Sequence, residues 1–173
     1  MYALPCISST VNPSIIQPEK AAALYNNKGI NYMKDGYHLS AITSFKIALG
    51  LNPNSAASSA IYSNLGKAYL KTGEPQMAQE CFEAAILFSP MSLPYYKDLV
   101  KAYKAQDLLA NKLATSSYNV EAYMKPLVTA FVHIELGNIR EGKQILIDFA
   151  NKEPSLIISK AIKDYLKMYP EDL

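Results

Sequence analysis

An internal repeat constrains the fold of this chain more than any other feature of its sequence. Residues 23–53 align with residues 60–90 at a shift of 37 residues, and eight spaced positions carry the same residue type. A chain that repeats one unit of this length is predicted to stack similar units around a continuous core. The matched pairs are Tyr25 and Tyr62, Gly29 and Gly66, Tyr32 and Tyr69, Gly36 and Gly73, Ala41 and Ala78, Phe45 and Phe82, Ala48 and Ala85, and Pro53 and Pro90.

The matched positions fit a pair of packed helices. Aromatic and small residues at spacings of three and four fall on one helical face. Gly29 and Gly66 lie in mid-helix, where glycine costs about 1 kcal/mol relative to alanine, so we expect each to allow the close approach of a second helix. Gly36 and Gly73 follow where the first helix must end and reverse, a position that favours a positive backbone φ. Each unit is therefore predicted to be an antiparallel helix pair.

The spacing resembles that of the tetratricopeptide repeat, a helix pair of about 34 residues. The first copy departs from the family pattern at Lys28, where the family usually has leucine. Because the shift is 37 residues, we expect one extra turn in residues 54–58 that lengthens the first helix of the second repeat. The resemblance implies an all-α fold, namely a right-handed superhelical stack of antiparallel helix pairs, or α-solenoid. The second copy carries the family pattern at Tyr62, Leu65, Gly66, Tyr69, Ala78, Phe82, Ala85 and Pro90.

The rest of the chain continues the repeat in weaker form. Tyr96, Leu99 and Tyr103 reproduce the first helix of a third repeat, but its second helix, in residues 107–117, lacks the alanine and phenylalanine of the pattern. A fourth unit covers residues 124–154. Pro126 near its start either opens a helix or kinks one that began near Asn119. Residues 155–169 carry an apolar stripe opposite lysines, which predicts a capping helix.

These units predict about nine helices in one domain. We expect residues 1–17 to be a flexible N-terminal leader and residues 18–173 to be a single helical-repeat domain. Within that domain, two clear repeats are expected at about 22–55 and 59–92, two degenerate repeats at about 93–122 and 123–154, and the capping helix at about 155–169.

Composition and motifs point away from catalysis, metal binding and membrane insertion. The net charge is +2 and no apolar stretch reaches about 18 residues, so we expect a cytoplasmic protein without a membrane span. Cys6 and Cys81 have no histidine at metal-ligand spacing, and we expect Cys81 to be a buried thiol. Residues 137–144 approach a phosphate-binding loop, but Gln144 stands where the magnesium-binding hydroxyl belongs. We therefore predict no catalytic residue, no metal site and no cofactor.

The resemblance also indicates which side chains face a partner, because helical solenoids use their concave surface for binding. Five lysines are expected on two adjacent inner helices, whereas Glu74, Glu80 and Glu83 belong to a second helix. Two interpretations stay open for the lysines: a groove for an acidic or extended peptide, and a solvated face. The residues at the groove positions are Asn26, Lys34, Asn64, Lys67, Lys71, Lys97, Lys101 and Lys104.

Asn64 is the groove residue that we expect to matter most. Some relatives grip the C-terminal carboxylate of heat-shock chaperones with a clamp of lysine, asparagine and arginine, and Asn64 matches its central asparagine. The other clamp positions hold Asn26, Ile30, Pro94 and Asp98, so that particular partner is not predicted. Asn64 either hydrogen-bonds the backbone of an extended peptide or bridges neighbouring helices.

The repeat fold and the lysines are compatible with three functions. The first is a non-enzymatic scaffold or adaptor that binds a protein or peptide partner, and the lysines favour an acidic segment. The second is a structural protein that self-associates as a homo-oligomer through the apolar helix at residues 127–136 or through the capping helix. Nucleic-acid binding is the weakest of the three, because Arg140 is the single arginine.

Overall fold

The computed structural model describes residues 17–51 and 53–168. Within these ranges all regular secondary structure is helical, so the all-α fold and the number of helices are confirmed. The expected leader lies outside the described residues except for Gln17, as do residues 169–173. The nine α-helices are α1 (Pro18–Lys34), α2 (His38–Gly50), α3 (Ser55–Thr72), α4 (Pro75–Phe88), α5 (Leu93–Ala105), α6 (Leu109–Thr115), α7 (Lys125–Glu135), α8 (Ile139–Lys152) and α9 (Ile157–Met168).

Consecutive helices pack as pairs, α1 with α2, α3 with α4, and α7 with α8. The turns inside these pairs are too short for any arrangement but an antiparallel one. Each pair then packs against the next, since α2 contacts α3 and α4 contacts α5. The result is the α-solenoid that the repeat predicts. Among the described residues, none of the helices is both long and apolar enough to cross a membrane.

In each of the first two helix pairs, a glycine of the first helix contacts a phenylalanine of the second. A Cβ placed on Gly29 would lie 2.5 Å from the ring of Phe45, and one on Gly66 would lie 2.7 Å from the ring of Phe82. Both rings are fully buried. The helices therefore approach each other as closely as the sequence predicts, and only glycine leaves the room for this packing.

The turns carry the backbone geometry expected of them. Gly36 and Gly73 have φ of +82° and +80°, which glycine adopts without the penalty of a side chain. The extra turn of the second repeat is confirmed, because α3 begins at Ser55. Its start is capped by the Asn54 side chain, which accepts a hydrogen bond from the Ala57 backbone N–H at 3.0 Å.

The third repeat is the irregular part of the solenoid. Its second helix, α6, has seven residues and is shorter than the expected 107–117, because Ser116 turns the chain into the left-handed region at φ +48°. After it come residues 116–121 and a 3-10 helix, Ala122–Met124. Pro126 then occupies the first turn of α7. The proline thus opens a helix, and the alternative of a kinked helix from Asn119 is wrong.

The capping helix α9 packs its buried Ile158 and Ile162 against the end of the stack, on α8. Tyr165 meets Phe131 of α7 edge-on, with ring centroids 5.7 Å apart. α9 also touches α5, two repeats earlier in the inner row of helices. This contact is not evident from the repeat pattern. Because of it, α9 lines the inner surface together with α5.

Lys28, the departure from the family pattern, is explained by its position. It lies exposed on α1 with its Nζ 5.7 Å from the centroid of the Tyr32 ring. The corresponding Leu65 in α3 is buried, because α3 lies between two neighbouring helix pairs. A lysine is tolerated at residue 28 because, among the described residues, α1 has a neighbouring helix pair on one side only.

Candidate functional site

The first helices of the repeats line one surface, together with α9. A cavity of about 240 Å³ lies between α1 and α3, and a second of about 460 Å³ lies between α5 and α9. Lys67 lines both, and we call the two neighbouring cavities together the inner groove. Its lining residues are Ile30, Met33, Lys34, Phe45, Asn64, Lys67, Leu93, Pro94, Lys97, Asp98, Lys101, Ala161, Tyr165 and Met168.

Asp98 forms ion pairs with two of the groove lysines. Its Oδ2 is 3.3 Å from the Nζ of Lys67, and its Oδ1 is 2.9 Å from the Nζ of Lys101. The aspartate is 7% exposed, while the two lysine side chains are about half exposed. One buried carboxylate therefore anchors two of the expected groove lysines and links α3 to α5.

Two other groove lysines also have partners. Lys104 Nζ lies 2.9 Å from Oε2 of Glu135 on α7. Lys97 Nζ lies over the ring of Tyr165, 4.6 Å from its centroid, an arrangement that attracts a cation to an aromatic face. These contacts join α5 to α7 and to α9. Part of the lysine charge thus serves to hold helices together.

Lys34 and Lys71 differ from the other expected groove lysines, because neither forms an ion pair or a cation–π contact among the described residues. Of the six expected groove lysines, Lys34, Lys67, Lys97 and Lys101 line the inner groove, whereas Lys71 and Lys104 do not; with Asp98 as the one carboxylate of this lining, an excess of three positive charges remains. An excess of one sign on a lined depression raises the local concentration of ligands of the opposite sign.

The two groove asparagines are in contact. Asn64 Nδ2 donates a hydrogen bond to Asn26 Oδ1 at 3.1 Å, which links α3 to α1. The bridging interpretation of Asn64 is therefore correct. Its amide still has a second N–H and a carbonyl oxygen, the two groups that a peptide backbone requires. A role in binding an extended peptide thus stays a prediction, now for both asparagines as a unit.

Several groove residues were not among those expected from the sequence. Asp98 was noted only as a departure from the chaperone clamp, and Leu93, Tyr165 and Met168 were not singled out. Tyr165 and Ala161 are four residues apart on the predicted capping helix, so their shared face was visible in the sequence. The contact of that face with α5 was not, because it depends on how sharply the repeats turn.

The other sequence candidates do not assemble a reactive site. Burial is the main cause that raises the pKa of the Cys81 thiol, to about 12, which leaves it protonated and unreactive at neutral pH. Gly142 packs against the Ala130 carbonyl and Lys143 is buried, so residues 137–144 form a turn and a packed helix. The described residues contain no group of three or more ligands placed to hold a metal ion.

Comparison with known families identifies the repeated unit. Models described as tetratricopeptide repeat match residues 22–55 and residues 59–91. These segments correspond to the pairs α1 with α2 and α3 with α4. A search of curated proteins finds no match to the chain.

Proposed function

Because the chain belongs to the tetratricopeptide repeat family, whose repeats generally mediate protein–protein interaction, we propose that it is a scaffold that binds an extended, acidic segment of a partner protein in the inner groove. The observation that carries the proposal is the excess of lysine over carboxylate along this groove. Lys34 in its lining, and Lys71 one turn beyond Lys67 on α3, are free of ion pairs among the described residues. The role is binding, in the cytoplasm, by a single domain of residues 18–173.

The groove residues suggest how such a segment is held. Carboxylates of the partner meet the exposed ammonium groups of Lys34 and Lys71, while the Asn26 and Asn64 pair offers hydrogen bonds to its backbone. Apolar side chains of the partner enter the cavity walled by Leu93, Tyr165 and Met168. Most of the binding free energy comes from such buried anchors. The lysines make the groove selective for negatively charged segments and raise the association rate.

The alternative of self-association through α7 has less support. The apolar residues Leu127, Val128, Phe131 and Val132 are buried inside the stack, so this helix has little apolar surface left for a second copy. In α9, Ile157 is exposed and remains available for contact. Sedimentation that is independent of concentration would exclude a homo-oligomer.

The test uses a short blocked peptide that combines glutamates with one leucine, labelled for fluorescence anisotropy. We expect the double variant Lys34→Glu and Lys71→Glu to lose at least about tenfold in affinity, because two attractive contacts become repulsive. These lysines are preferred to Lys67 and Lys101, since reversing either of the latter would also place a carboxylate beside Asp98.

The matched control is Lys163→Glu, which reverses an exposed lysine on α9 that neither lines the inner groove nor lies one turn from a lining lysine. It should bind the peptide as the unmodified chain does. Unchanged affinity in the double variant, with its helical circular dichroism intact, would show that the groove lysines form a solvated face and would refute the proposal.

A further inference from the structure

A second depression lies on the outer side of the solenoid, where the third repeat is incomplete. The outer helices α4 and α8 have 14 residues each, and α6 between them has seven. At about 1.5 Å per residue, α6 is shorter by about two turns, or roughly 10 Å. Residues 116–121 and the 3-10 helix cross this space without filling it.

Three cavities occupy the space left by the short helix. Their volumes are about 360, 480 and 350 Å³. Glu83 and Leu87 line the first and the second, and Tyr123 lines the second and the third. Neighbouring cavities thus share lining residues from α4 to α8, and we call the three together the outer groove.

The walls of the outer groove combine exposed apolar side chains with carboxylates. Leu87 is 75% exposed and Tyr123 is 52% exposed, so both offer apolar contact area to a ligand. Glu80, Glu83 and Glu121 border the first two cavities, and none of them forms an ion pair among the described residues. Lys125 also lines the second cavity, so carboxylates outnumber lysines by three to one around the first two cavities, beside the apolar side chains.

Glu83 is held in place by its neighbours. Its Oε1 accepts a hydrogen bond from Gln79 Nε2 at 2.9 Å, and its Oε2 accepts one from Asn119 Nδ2 at 2.8 Å. Burial and the nearby Glu83 carboxylate both raise the pKa of Tyr103 above its usual range. The two hydrogen bonds from Gln79 and Asn119 fix the Glu83 carboxylate at the groove surface, where a cationic donor of a ligand can pair with it.

We propose that the outer groove binds a basic, amphipathic helical segment of a partner protein, which takes the place of the missing turns of α6. Apolar side chains of this segment pack on Leu87 and Tyr123, and its lysines or arginines pair with Glu80, Glu83 and Glu121. A helix suits the space because the gap is about two turns long between two packed helices. The site is independent of the inner groove and has the opposite charge.

The probe is a short, blocked helical peptide with leucines four residues apart and arginines beside them. Its match is the same peptide with glutamate in place of arginine. Binding is measured by isothermal titration calorimetry and located by amide chemical shifts. We expect the arginine peptide to bind, with the largest shifts in residues 80–88 and 116–124, and the glutamate peptide to leave these amides unchanged.

The decisive variants are Leu87→Lys and Glu80→Lys, and the control is Leu39→Lys. Leu39 is 71% exposed on α2 and lies outside the outer groove, so both leucine substitutions leave the core intact. We expect affinity for the arginine peptide to fall about tenfold or more in each decisive variant. The Leu39→Lys variant and the Lys34→Glu, Lys71→Glu double variant should bind it normally, which separates this site from the inner groove.

Several results would overturn the proposal. One is an arginine peptide that fails to bind, and another is affinity that Leu87→Lys and Glu80→Lys leave unchanged. Equal binding of the glutamate peptide at these amides would remove the charge argument. If instead sedimentation shows that the chain forms dimers and that the Leu87→Lys variant is a monomer, the groove binds a second copy of the chain and not a basic partner.

Discussion

Substitution of Asp98 by asparagine should change stability and binding in opposite directions. The carboxylate is buried and holds Lys67 and Lys101 at 3.3 and 2.9 Å. Pairs with exposed lysines are worth roughly 0.2–1 kcal/mol each, and the lysine side chains here are about half exposed. Asparagine has nearly the same volume as aspartate and keeps one hydrogen-bond acceptor. Because it carries no charge, the unfavourable desolvation free energy of the buried carboxylate is partly removed. We therefore expect a loss of about 1 kcal/mol in the free energy of unfolding.

The same substitution frees two ammonium groups in the inner groove. An acidic peptide then meets these lysines without competition from a carboxylate of the chain, so its affinity should rise about three- to tenfold at low salt. The gain should shrink at high salt, because salt screens interactions between exposed charges. A purely structural role for Asp98 predicts no gain at any salt concentration.

The two effects require two assays on one variant. Urea unfolding followed by circular dichroism gives the free energy of unfolding, and fluorescence anisotropy with the glutamate peptide gives the affinity at low and at high salt. Asp164→Asn is the matched control, since Asp164 pairs with Lys167 at 3.5 Å on the exposed side of α9. It should alter neither quantity. Affinity that is unchanged or reduced in folded Asp98→Asn would refute the reasoning.

Other predictions concern packing and protonation. Gly66→Ala should lower the free energy of unfolding by about 1–2 kcal/mol, because its Cβ would lie 2.7 Å from the buried Phe82 ring and overpacking outweighs the gain in helix propensity. Gly50→Ala has no atom within 4 Å of its Cβ and should be neutral or stabilising in the same urea titration. In a Cys6→Ser variant, Cys81 should resist iodoacetamide at about pH 8 until the chain unfolds, and rapid native alkylation would contradict its burial. Since the pKa of Cys81 is raised from 9.0 to about 12, its stabilising contribution should be complete below pH 9 and decline as pH rises toward 12.

The parts of the fold that could be predicted are those encoded within one repeat. The contact of Gly66 with Phe82 joins residues of a single helix pair, and the turn at Gly73 lies between them. Residue type at regular spacing is enough to predict such local geometry. The lengthened start of α3 follows in the same way, since it changes only the spacing between repeats.

The parts that could not be predicted depend on contacts between repeats. The pairing of Lys67 with Asp98 requires the relative rotation of α3 and α5, and the approach of Tyr165 to Lys97 requires the curvature of the whole stack. The short α6 has a related cause. Without the alanine and phenylalanine of the pattern, residues 107–117 lack the signature that would define where their helix ends. Four of the six lysines expected at the groove line it, but their partners could not be predicted.

Amide chemical-shift mapping of the chain with the glutamate peptide tests the central proposal most directly. If an acidic segment binds the inner groove, the largest shifts should occur around Lys34, Asn64, Lys71, Lys101 and Tyr165, and the Lys34→Glu, Lys71→Glu double variant should abolish them. Shifts concentrated on the outer helices α2 and α4, or no saturable shifts at all, would contradict the proposal that this groove is the binding surface.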